Sequence, residues 1–452
     1  MIDTKRHERA LSHLDSALEL APDDPATLER RGIELRYLDR SDESLAELDR
    51  SLEIRPDHAA TRAARGLTHA LRGEYEEALA DLDRSLELRP DDPDVFNNRG
   101  SVLHHLKRNE EALLNFNRSL ELRRDDPTAL ANRGAALLDV DRAKDALANI
   151  DRSLELRPNH LDTVRLHAEA MLVLDSADEA ISDYDSYLRK RREDPDSLAG
   201  RGLAFARLER HEQALADFSR SLEIRPDVSA ILNNRGVVLL EMDRAADALD
   251  DFTAAQTNDT DRVDILHNRG LALDRLGRNE EARDAFTRAI DLAPEDADLL
   301  NRRGVSLAKL ERFEAAVADF TGALAIKPDD VETIHNRGIV FGHLKRYQEA
   351  LMDFGHVLKA IPKDPEAMYN RACILALMGQ PAIALEQLRD VVQRDSSYRA
   401  SASKDSDFDS IRADDFLRRD LELLVSGTES GDADTNAPDP SQHDTAAPIR
   451  SS

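Results

Sequence analysis

The sequence predicts an all-α solenoid of about eleven helix-turn-helix units, and three periodic series carry that prediction. Glycine returns every 34 residues at Gly32, Gly66, Gly100 and Gly134, then at Gly202, Gly236, Gly270, Gly304 and Gly338, with Ala168 in the one gap. Alanine keeps the same period from Ala78 to Ala384, with Ser44 standing ahead of the series. Proline does so at Pro22, Pro56, Pro90, Pro158, Pro226, Pro294, Pro328 and Pro362. Self-similarity at this spacing marks stacked supersecondary units rather than a few globular domains.

With the recurring glycine set as position 8, the units run from 25–58 to 365–398. Positions 4, 8 and 11 share one stripe of a first helix, and 20, 24 and 27 share one stripe of a second. Position 24 carries Phe116, Phe218, Phe252, Phe286, Phe320 and Phe354. The first helix starts at an Asp-Pro pair such as Asp92-Pro93 or Asp126-Pro127, an N-cap acceptor followed by a residue whose missing N–H loses nothing. The second stops before the proline at position 32, which cannot continue the hydrogen-bond ladder. A mid-helix glycine costs about 1 kcal/mol relative to alanine. Its persistence predicts close approach to the small residue at position 20.

This pattern resembles the tetratricopeptide repeat family, whose signature is a 34-residue helical hairpin with Gly or Ala at 8, Ala at 20, an aromatic at 24, Ala at 27 and Pro at 32. The resemblance spans residues 1–398 and departs from the signature at position 4, which lacks Trp, and at position 7, which holds Arg. It implies a right-handed α-solenoid superhelix. Residues 1–24 match only a second helix, through Ala10, Leu14, Ala17 and Pro22, and read as a half repeat that either caps the array or is covered by another chain. Residues 399–425 are expected to hold a closing helix with Phe408, Ile411, Phe416 and Leu423 on its apolar face. The acidic tail at 426–452 is expected to be disordered. The unit at 161–194 departs from its neighbours at Leu166, His167, Ala168, Tyr184 and Tyr187, as a local bend, a docking patch or simple drift.

Composition removes several functional classes. The 62 basic and 90 acidic residues leave a net charge of −28, which disfavours nucleic acid or an anionic membrane as the main partner. The single cysteine, Cys373, rules out an intrachain disulfide and argues against a cysteine-based zinc site. No segment approaches the roughly 18 apolar residues of a membrane helix, and the first residues lack a signal-peptide pattern, so a cytoplasmic protein is expected. His104, His105, His335 and His343 lack a third ligand at helical spacing, and no catalytic or phosphate-binding fingerprint is present. Neither a cofactor nor enzymatic activity is therefore expected.

Two rows of polar residues remain to be explained. Arginine at position 7 sits beside the helix–helix seam and needs a partner, which the acids at position 23 supply in most units. An anion-binding ladder is the functional alternative. The opposite face of the first helix carries Asn98, Asn132, Asn234, Asn268, Asn336 and Asn370 at position 6, with Asn97, Asn233 and Asn301 beside them at position 5. Leu203, Val237, Leu271, Val305 and Ile339 follow at position 9. A carboxamide offers both donor and acceptor, which suits a peptide backbone whatever its side chains. The spacing is similar to the asparagine ladder in the tetratricopeptide domain of O-linked N-acetylglucosamine transferases, and implies that these residues grip an extended polypeptide, here without a transferase domain. The expected role is a protein-interaction scaffold. A structural assembly subunit and the binding arm of a separate enzyme are the alternatives, and the oligomeric state stays open.

Overall fold

The computed structural model describes residues 2–427, so the tail assigned to 426–452 lies almost entirely outside the described residues. Among those residues there are 26 α-helices and no strand. The chain forms two compact units, Met1–Arg225 and Pro226–Ser452.

The first unit opens with α1 (Ile2–Leu20). Six hairpins follow: α2 and α3 (Pro25–Tyr37, Ser41–Ile54), α4 and α5 (Ala59–Leu71, Tyr75–Leu88), α6 and α7 (Pro93–His105, Asn109–Leu122), α8 and α9 (Pro127–Leu138, Ala143–Leu156), α10 and α11 (Leu161–Val173, Ala177–Leu188), and α12 and α13 (Pro195–Arg207, His211–Ile224). Each first helix packs on its own second helix and on the second helix of the hairpin before it. Helix α1 takes the place of such a second helix against α2. Leu11 is buried there, and Arg31 donates to Asp15 at 2.8 Å.

The second unit holds α14 and α15 (Ser229–Glu241, Ala245–Asn258), α16 and α17 (Val263–Arg275, Asn279–Leu292), α18 and α19 (Ala297–Lys309, Phe313–Ile326), α20 and α21 (Val331–His343, Tyr347–Ala360), and α22 and α23 (Pro365–Leu377, Pro381–Arg394). Four short elements close it: α24 (Tyr398–Lys404), a single 3-10 turn (Ser406–Phe408), α25 (Asp409–Arg412) and α26 (Asp415–Ser426). The expected single amphipathic helix is therefore broken, because Asp405 and Asp414 each cap a new start. Its apolar face also differs. Phe408 and Ile411 are fully buried, but Phe416 is 88% exposed, and Leu421 and Leu424 turn inward in place of Phe416 and Leu423.

Local chemistry sets the helix ends as the sequence implied. Asp24, Asp126, Asp194 and Asp364 accept first-turn backbone N–H groups at 2.9 Å. Serines at position 27 do more than fit the seam. Ser51, Ser119, Ser153 and Ser221 donate to the carbonyls of Pro25, Pro93, Pro127 and Pro195 at 2.7–2.8 Å, tying the second helix to the start of the first. Every hairpin turn places position 15 in the left-handed region, with φ from 56° at Glu209 to 78° at Gly73. Asp and Lys hold that position as well as Gly, so no periodic glycine advertises it.

The glycine at position 8 serves a different neighbour from the one expected. A Cβ on Gly100, Gly236, Gly270 or Gly304 would fall 2.5–2.6 Å from Cε1 of the phenylalanine sixteen residues on. The residue thus makes room for the ring at position 24, and the small residue at 20 contributes mainly its backbone, as at Gly66, where the Ala78 carbonyl would lie 3.0 Å away. Phe116, Phe218, Phe252 and Phe320 are completely buried, which supplies the burial energy that outweighs the glycine penalty.

Candidate functional site

Position 7 of each first helix points along the seam, where a charge requires compensation. Arg201 donates Nε and Nη2 to Asp217 of its own hairpin at 2.7 and 2.8 Å, and Nη1 to Asp185 of the preceding one at 2.6 Å. Arg65 repeats this with Asp81 and Asp49. Arg303 and Arg337 make the same paired contact to Asp319 and Asp353. Arg99 and Arg133 use the amides of Asn115 and Asn149 instead. The guanidiniums thus join the two helices of a hairpin, and those of Arg65, Arg99, Arg133 and Arg201 also bind hairpin to hairpin, a structural role the sequence suggested between helices.

In the divergent repeat the same slot holds His167. Its Nδ1 lies 2.5 Å from Asp183 and its Nε2 lies 3.2 Å from Asp151, reproducing the two-hairpin bridge of the arginines. The hydrogen bond to Asp183 raises its pKa above the usual histidine value, against the effect of burial. A histidine with a raised folded pKa contributes stability that is complete below about pH 6.5 and is lost as pH rises through the folded value. The His167→Arg variant should therefore match wild type in melting temperature near pH 6 and exceed it by about 2 °C near pH 9. A gap that stays constant across that range would show that the imidazole is not bridging as a cation.

Beside it, Ala168 and Tyr184 occupy positions 8 and 24, and the tyrosine hydroxyl would lie 2.4 Å from a Cβ placed on Gly200. Gly200 is position 6 of the next hairpin, where six of the eleven hairpins carry asparagine. The Tyr184 ring takes the space that a side chain at Gly200 would need.

The structure divides the nine candidate asparagines into distinct roles. Asn97, Asn233 and Asn301 are 9%, 7% and 2% exposed, so the position-5 amides lie inside the framework rather than on a contact surface. They receive the Nδ2 of the next repeat: Asn132 donates to Asn97 at 3.1 Å, Asn268 to Asn233 at 3.0 Å and Asn336 to Asn301 at 3.2 Å. Asn370 instead meets His335 at 3.0 Å. Asn132 uses both of its N–H groups, the second on Ser101, while Asn268, Asn336 and Asn370 use one each, and the acceptor Oδ1 of Asn132, Asn268 and Asn336 is left without a protein donor. Asn98 and Asn234 make no side-chain hydrogen bond and keep both ends of the amide available. The apolar row of Leu203, Val237, Leu271, Val305 and Ile339 is half-buried, and Val305 and Ile339 pack against core clusters of the hairpins that flank them.

Position 13 is also taken up by the framework. Lys309 pairs with Asp274 at 2.8 Å, and Arg207 donates to the carbonyl of Leu172, one repeat back. His105 stacks on Tyr75 and His343 on Phe313, at 5.4 and 4.9 Å between ring centres. These groups thus join one repeat to the next.

Sequence inspection also missed one cluster at the end of the array. Cys373, Asp405 and Asp407 place their ligand atoms within 4.8 Å of one another. Burial pushes the Cys373 thiol and the Asp407 carboxyl up, favouring the protonated forms rather than the thiolate a metal would need. Asp405 accepts from the Tyr369 hydroxyl at 2.7 Å and from the Asp407 N–H at 3.0 Å. The cluster joins α22 to the closing elements by hydrogen bonds.

Stacked helical hairpins whose seam arginines mostly pair with acids and amides of the framework, and which leave amides along one helix face, define a helical-repeat scaffold. Tetratricopeptide repeat models match residues 166–229, 199–262 and 267–331, a TPR repeat model matches 69–107, and a further tetratricopeptide repeat model matches 93–126. These stretches are tetratricopeptide repeats. No curated protein sequence matches it. Among solved structures it is similar to a tetratricopeptide repeat protein from Parabacteroides merdae (15% identity, 55% of this chain and 98% of that one, TM-score 0.43). It is also similar to the APC/C hetero-tetramer Cut9-Hcn1 (14%, 94% and 94%, 0.48). YrrB, described as a TPR protein with an unusual peptide-binding site, is a third (19%, 41% and 96%, 0.34). Among the described residues no helix is long and apolar enough to cross a membrane.

Proposed function

We propose that the first-helix face carrying the position-6 amides holds an extended segment of another protein by its backbone. The observation that supports this reading best is the state of Asn98 and Asn234. Each keeps a donor and an acceptor that the fold does not use, and Asn132 in the unit of Asn98, and Asn268 and Asn336 in the unit of Asn234, still offer Oδ1 to a partner N–H. Backbone recognition needs this pairing of donor and acceptor, and it sets no requirement on the partner's side chains. Leu203, Val237 and Leu271, half-buried one turn further along, would add apolar contact to alternate side chains of such a segment. The position-5 asparagines act indirectly, by orienting the amides that follow them.

Asn98→Ala and Asn234→Ala, made separately and together, test the proposal because neither removes a framework bond. Extended peptides selected against the wild-type chain from a random library should bind the double variant about tenfold more weakly, with the melting temperature unchanged. Equal affinity for wild type and variant would remove the amide row from recognition.

A further inference from the structure

We propose that Arg269 anchors a site for a small carboxylate anion, seated where its hairpin lacks the position-23 acid of the neighbouring hairpins. The sequence has Asp251, Ala285 and Asp319 at successive position-23 sites, while position 7 remains arginine throughout, at Arg235, Arg269 and Arg303. In the flanking hairpins the arginine Nε donates to the aspartate Oδ2 at 2.7 Å, and Nη2 donates to Oδ1 at 2.6 and 2.7 Å. The Nε of Arg269 is buried and has no hydrogen-bond partner. Among the described residues no side chain forms an ion pair with its guanidinium. Glu281, whose charge Arg269 senses, already gives both carboxylate oxygens to Arg278 at 2.7 Å. Arg278 and Arg288 add further positive charge nearby.

Two side-by-side N–H donors fixed in one plane fit the two oxygens of a carboxylate. Replacing aspartate by alanine deletes one carboxyl group, so the smallest occupant of this chemistry is formate. An unsatisfied buried cationic donor is costly, which gives an entering anion a favourable exchange.

The test uses the full chain, melted at constant ionic strength as sodium formate replaces sodium gluconate, with sodium chloride as a second arm. Wild type should gain about 2 °C with a saturable dependence on formate. Ala285→Asp, which restores the acid of the neighbouring hairpins, should melt higher than wild type without formate and gain nothing specific from it. Arg269→Gln should also be unresponsive, which keeps the test sound if the aspartate variant folds poorly. An equal formate response in all three proteins overturns the proposal. A chloride response equal to that of formate on wild type overturns the carboxylate assignment.

Discussion

Asp353→Ala should destabilise the hairpin of α20 and α21 by about 2–4 kcal/mol, read as earlier hydrogen exchange across 331–364 and a lower melting temperature. Asp353 is 5% exposed and receives two hydrogen bonds at 2.8 Å from Arg337, which is 21% exposed. Removing the acid leaves a mostly desolvated guanidinium with two orphaned donors, a cost that exceeds the value of the pair itself. The partial exposure of the arginine keeps the loss below that of a fully buried pair. Asp353→Asn should cost less, because an amide oxygen still accepts there, as Asn115 and Asn149 do for Arg99 and Arg133. If Asp353→Ala unfolds no more readily than Asp353→Asn, the paired geometry is not what holds this seam.

The second large effect is expected at Gly200→Asn, which introduces the asparagine that six other hairpins carry but collides with Tyr184. A Cβ at Gly200 would lie 2.4 Å from the tyrosine oxygen and 2.5 Å from Cζ. The ring is almost wholly enclosed, with 2% of its surface exposed, so it has little freedom to withdraw. Overpacking of this kind costs roughly 1–3 kcal/mol. Thermal denaturation should therefore show a clear loss for Gly200→Asn and recovery when Tyr184→Leu is added. If the single variant is as stable as wild type, the tyrosine does not explain the missing amide.

The architecture was legible because its signals are local and repeated. Proline at position 32 and Asp-Pro at the boundary act through backbone hydrogen bonding within a few residues, and eleven in-phase units make the pattern hard to mistake. Partners across the seam were partly legible. Arg201 and Asp217 could be paired from their spacing, but the direction of the position-8 glycine could not, since positions 20 and 24 lie on the same stripe of the facing helix. The amide row was recognised as a row. Its division into buried acceptors and outward groups was hidden, because two adjacent asparagines differ in burial only through the rotation of their helix against the hairpin before it. The closing region failed for another reason: Phe416 and Leu423 suit an apolar stripe by period, but the breaks capped by Asp405 and Asp414 reset the phase.

The only thiol of this chain is sealed inside α22, with 6% of Cys373 exposed and its proton held tightly by burial. Alkylating dyes should therefore pass it by while the protein is native. A single cysteine engineered on the outside would then be the sole point of attachment. Two of them at equivalent places, set apart by multiples of the repeat length, would turn the chain into its own ruler for fluorescence distance measurements.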